Sequence, residues 1–119
     1  MSRQSTLSAS EQFADAIIPL LKEFGDKVKS LGEAADGLHT KFASNHLFWV
    51  GSGNKLLDQR LHLLREDWKH LKPPIVKLAQ HASQQLEHGG LDDVTQLELM
   101  LRLAEFESAI RSTEEILAS

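Results

Sequence analysis

The chain reads as an all-α protein: an antiparallel helical hairpin with a third packing helix. Three stretches place apolar residues alternately four and three apart. Glycine-bearing breaks separate them, and no stretch keeps a strand-like alternation. Long helices with short connections pack antiparallel, so the expected architecture is a three-helix up-down bundle. Its seams leave room for a dimer that extends the bundle. Residues 1–9 are expected as a polar tail and 10–119 as one helical-bundle domain.

The first helix is expected from about Ser10 to Asn45. Ser10, followed by Glu11 and Gln12, suits an N-cap. Ile17, Leu21, Phe24, Val28, Leu31, Ala35, Leu38 and Phe42 form a heptad seam that wants a partner helix. Pro19 implies either a start at that residue or a kinked first part. Gly25, Gly32 and Gly37 each cost about 1 kcal/mol against alanine in a helix interior. Such glycines are either local weak points or places where a neighbouring helix comes close.

The second helix is expected from about Asn54 to Glu87. Its seam runs through Leu57, Leu61, Leu64, Trp68, Leu71, Ile75, Leu78, Ala82 and Leu86. Pro73 and Pro74 interrupt it, and one interior proline costs about 3 kcal/mol. Two collinear or kinked pieces, 54–71 and 73–87, are therefore expected on one shared face. Gly89 or Gly90 then supplies the C′ residue.

The third helix is expected over 91–117, opened by the capping pair Asp92-Asp93. Leu99, Leu103, Phe106, Ile110, Thr113 and Leu117 make one stripe. Val94, Leu97 and Leu101 are read as widening it, as suits a helix packed between two others.

Composition excludes several function classes. The chain has 119 residues, no cysteine, a net charge of −4 and a pI near 5.8. There is no disulfide framework and no thiolate metal site. The acidic balance argues against nucleic acid as a partner. No apolar run reaches the ~18 residues of a membrane span. The N-terminus "MSRQSTLSASEQ" lacks the apolar core of a signal peptide. The expected location is the cytoplasm, or outside the cell by a route without a cleaved leader.

The connection between the first two helices reads "FWVGSGNKLL". Gly51, Ser52 and Gly53 permit a reversal within a few residues, and Ser52 or Asn54 can cap the next helix. Phe48 and Trp49 would close the open end of the seam. An ordinary helix–turn–helix with an aromatic plug accounts for every residue there.

This segment also resembles the WXG family of small secreted helical hairpins. Trp49-Val50-Gly51-Ser52-Gly53 is similar to the Trp-Gly-Gly-Ser-Gly turn of its early-secreted-antigen members, and Trp68 has a counterpart in some of them. The resemblance covers about residues 10–87. It implies an antiparallel hairpin, four-helix dimerisation, a non-enzymatic role and type VII secretion. The chain departs from that pattern in having no tyrosine for the family's export tail, the Pro73-Pro74 pair and the extra helix 91–117.

Two other constellations point to chemistry. His62, Glu66 and His70 recur every four residues along one flank, and Asp36-x-x-His39 and Asp67-x-x-His70 resemble halves of a di-metal site. These groups sit beside an apolar seam, so a solvated flank with i,i+4 pairs is the plainer account. Arg65 and His70 match the short Arg-to-His spacing of HEPN ribonuclease domains. There the arginine would bind phosphate and the histidine would assist attack by the 2′-hydroxyl. The plainer account pairs Arg65 with Glu66 or Asp58 and sets His70 near a helix C-terminus. No nucleophile elbow or phosphate-binding loop is present. The functional expectation is a non-enzymatic protein–protein interaction module in a homo- or hetero-oligomer, with no cofactor. The alternatives are a HEPN-like ribonuclease or toxin–antitoxin component, and a metal-binding bundle.

Overall fold

The computed structural model describes residues 9–44 and 53–118, with side chains described over 9–41 and 55–118. Three helices account for nearly all of it: α1 (Ala9–Ser44), α2 (Gly53–His88) and α3 (Asp93–Ala118). Among the described residues there is no strand, and the all-α bundle is the observed class. Phe48, Trp49, Gly51 and Ser52 of the turn lie outside the described residues; Gly53 is the first residue of α2.

Contacts fix the helix directions. Phe13, early in α1, lines one pocket with His81 and His88, late in α2, so α1 and α2 are antiparallel. Arg65 and Lys72 of α2 reach Leu117 and Glu114 of α3, so these two are antiparallel as well. The first and third helices therefore run parallel, with Gly25 beside Phe106 and Val28 beside Thr113. The bundle measures 68 × 25 × 22 Å. That width holds three helices of about 10–12 Å round one seam, and no second layer.

The seam residues bury as their spacing requires. Ile17, Leu21, Val28 and Ala35 of α1, Leu57, Leu61, Trp68, Ile75 and Ala82 of α2, and Leu99, Leu103, Phe106 and Leu117 of α3 form one core. Ala109, outside the expected stripe, joins it.

Two expectations need correction here, those for Ser10 and for Pro73-Pro74, and Pro19 is decided between its two alternatives. The helix α1 begins at Ala9, so Ser10 lies within its first turn and not at the N-cap. Of the two alternatives for Pro19, a start at that residue is ruled out: α1 begins before it and Pro19 lies in the helix interior. Its missing N–H would have met the carbonyl of Asp15, which is exposed and open to water. Pro73 and Pro74 do not divide α2, which runs unbroken from Gly53 to His88. Both are exposed, and so are Lys69 and His70, whose carbonyls lose their partners. Trp68 and Ile75, buried on the opposite face, hold the helix across the pair.

The link from α2 to α3 follows local rules. Gly89 and Gly90 have φ of 79° and 80°, the left-handed region that glycine enters without strain. The Gly89 N–H donates to the Gln85 carbonyl at 3.1 Å, which is the αL form of helix termination. Asp92 then caps α3. Its Oδ1 accepts the Thr95 N–H at 2.6 Å, and this bond holds its carboxyl below the usual carboxylate range.

Candidate interaction surfaces

Helix α3 has two apolar faces. In an α-helix each residue advances about 100°. Leu97 and Leu101 stand two residues from Leu99, hence about 200° round the helix from the core stripe. Val94, Leu97 and Leu101 therefore do not widen the buried stripe, as their sequence positions had suggested; they face away from it. Their exposures are 77%, 57% and 57%, against 0% for Leu99. Met100 is exposed beside them at 49%. Four of the seven large hydrophobics exposed among the described residues thus fall within eight residues of α3.

The outward stripe keeps heptad spacing. Val94, Leu97, Leu101, Ala104 and Ser108 are three and four apart, and Ala104 and Ser108 are exposed too. Beyond Leu101 the stripe runs beside a groove of about 570 Å³ between α1 and α3. Ala104, Ser108 and Ser112 line its α3 side, and Gly32 lies on the α1 side. Glu33, Asp36, Glu105 and Lys29 also border it.

The inner face is fixed by close approach. Thr113 is 2% exposed, and its hydroxyl donates to the Val28 carbonyl at 3.1 Å. Gly32 leaves the space for it: a Cβ there would lie 2.6 Å from Thr113 Oγ1. At Gly25 a Cβ would meet Phe106 at an ordinary 3.5 Å, and at Gly37 it would meet nothing within 4 Å. The glycines of α1 thus divide between the two expected roles.

Other residues singled out in the sequence are accounted for locally. The Arg65 Nε–H donates to the Leu117 carbonyl at 2.7 Å. His39 Nε2 lies 3.2 Å from the Ile116 carbonyl, donating in the tautomer protonated there. Side chains from α1 and α2 therefore occupy last-turn carbonyls of α3 that have no partner within the helix. Neither Arg65 to Asp58 nor Arg65 to Glu66 is needed to explain the arginine. His62 and His70 are exposed on the flank of α2, with Glu66 half-buried between them. Among the described residues no three or more histidines, aspartates or glutamates gather as a metal ion would require. Asp36 borders the α1–α3 groove, while Asp67 is exposed on α2. Trp68 is a core residue. No described helix is long and apolar enough to cross a membrane.

In comparisons with known proteins, no family model, no curated protein and no solved structure matches the chain.

Proposed function

We propose that this chain is a non-enzymatic protein–protein interaction module whose binding face is the outward stripe of α3. One observation carries the reading. Val94, Leu97 and Leu101 stand exposed at heptad spacing on the side of α3 opposite the core. Scattered single apolar residues on a surface need no explanation, but a contiguous line of them does. Alternating three- and four-residue spacing is the pattern that packs against another helix.

Site-specific photocrosslinking in the cells that make the protein tests this reading. A photoreactive residue replacing Leu97 should give a protein adduct, and one replacing Leu63 should not. Leu63 is equally exposed, at 59%, but has no exposed large hydrophobic neighbour at helical spacing. Equal adducts at the two positions, or none at 97, would remove the reading.

The WXG resemblance adds a narrower proposal, that the module is a type VII secretion substrate or partner. It rests on Trp49-Val50-Gly51 and is independent of the α3 surface. Release from the cell should be abolished by Trp49→Ala or Gly51→Ala. Release that is unchanged in both variants removes that proposal and leaves the interaction module standing.

A further inference from the structure

The outward stripe of α3 has a charged border, and its sign says what kind of helix fits. Between Asp92 and Glu107 five side chains are acidic: Asp92, Asp93, Glu98, Glu105 and Glu107. All five are exposed. The one basic side chain in that span is Arg102, 3.7 Å from Glu105. The groove that continues the stripe has Glu33, Asp36 and Glu105 along its edge against Lys29.

We infer that this face binds an amphipathic α-helix of another protein, with an apolar heptad seam flanked by lysine and arginine. The inference rests on the interaction reading of the same face and gives the partner its chemistry. Apolar seam residues would cover Val94, Leu97 and Leu101. Smaller ones would suit the groove beside Ala104 and Ser108. Basic flanks would meet Glu98 and Glu105 on one side of the stripe and Asp93 and Glu107 on the other. Placing flanking charges of opposite sign selects a partner, and like charges reject one.

The same border disfavours a second copy. In an antiparallel pairing of two α3 stripes with Leu101 set against Ala104, Glu98 of one copy would meet Glu105 of the other. The net charge of −4 adds to that repulsion. Anionic lipid is disfavoured on the same ground.

The test uses the full chain and two synthetic helical peptides of about three heptads, each with leucine at the seam. One peptide carries lysine and arginine on its flanks, and the other carries glutamate. Binding is read by fluorescence anisotropy at low and high salt, and self-association by sedimentation equilibrium. The basic peptide is expected to bind on the order of ten-fold more tightly than the acidic one. Salt should erode that difference, and Leu97→Gln with Leu101→Gln should abolish binding. Charge variants Glu98→Gln and Glu105→Gln should narrow the gap without removing binding. Equal binding of the two peptides overturns the charge inference and leaves the face as an interaction surface. Neither peptide binding, with a stripe-dependent dimer of the chain, makes the occupant a second copy and also overturns it. A monomer that binds neither peptide overturns both the inference and the reading beneath it.

Discussion

The two faces of α3 are built from similar residue types and do opposite things. Leu99 and Leu103 are core, while Leu97 and Leu101 are in water. The inner face gains its hold from shape as well as apolarity. Gly32 clears the space for Thr113, and Phe106 and Ala109 are buried on the same side. The outer face has no such complement among the described residues. Apolar character therefore sets that a residue can be buried, and the neighbouring helix decides whether it is.

The largest expected effects belong to the inner face. Phe106→Ala should lower unfolding free energy by about 3–5 kcal/mol, measured by urea denaturation. A domain of this kind holds about 5–15 kcal/mol in all, so this variant should sit close to unfolding. A loss below 1 kcal/mol would mean that the α1–α3 contact is not where stability resides.

The three glycines of α1 sharpen the comparison, because alanine should act differently at each. Gly32→Ala drives a methyl onto the Thr113 hydroxyl and should destabilise by about 1–3 kcal/mol. Gly25→Ala meets only an ordinary contact, so its gain in helix propensity should be largely retained. Gly37→Ala enters open space and should stabilise by about 0.5–1 kcal/mol. The order of the three melting temperatures is the readout. A gain at Gly32 would place α3 elsewhere.

Capping effects should be smaller. Arg65→Ala removes the bond to the Leu117 carbonyl at the end of α3 and should cost about 1 kcal/mol. The same variant would confuse any ribonuclease assay, so RNA cleavage should be tested first with His70→Ala. Activity absent from the wild-type chain, or equal in that variant, removes the enzyme alternative.

The smallest effect is a pH dependence at the start of α3. The Thr95 N–H depresses the Asp92 carboxyl in the folded state. A depressed carboxylate contributes stability above its unfolded pKa and loses it as pH falls through its folded pKa. Asp92→Asn keeps a capping oxygen but cannot titrate. It should flatten the acid side of the stability–pH curve slightly and leave neutral pH nearly unchanged.

Much of this fold could be read from spacing alone. The four-and-three pattern placed the helices within two residues and picked out the core side chains from Ile17 to Leu117. The capping signals Asp92 and Gly89 were also legible, because caps depend on local backbone geometry. Two features were not. Pro73 and Pro74 look like a break until the buried Trp68 and Ile75 are weighed against them, and that weight comes from tertiary packing. Val94, Leu97 and Leu101 fall among core residues of the same helix, where a broad apolar face and two opposite ones look alike. Counting 100° steps from Leu99 separates them, but only once the core stripe is known. The charged border of the outer stripe was present in the sequence throughout, and it gained meaning when the stripe turned out to be bare.

The most direct measurement compares Leu101→Ala with Leu103→Ala by equilibrium unfolding of the isolated chain. Leu103→Ala should cost about 2–5 kcal/mol, and Leu101→Ala should stay within about 0.5 kcal/mol of wild type. Comparable losses in both variants would show that the outer leucines are already buried by the chain itself, and the proposed interaction face would be gone.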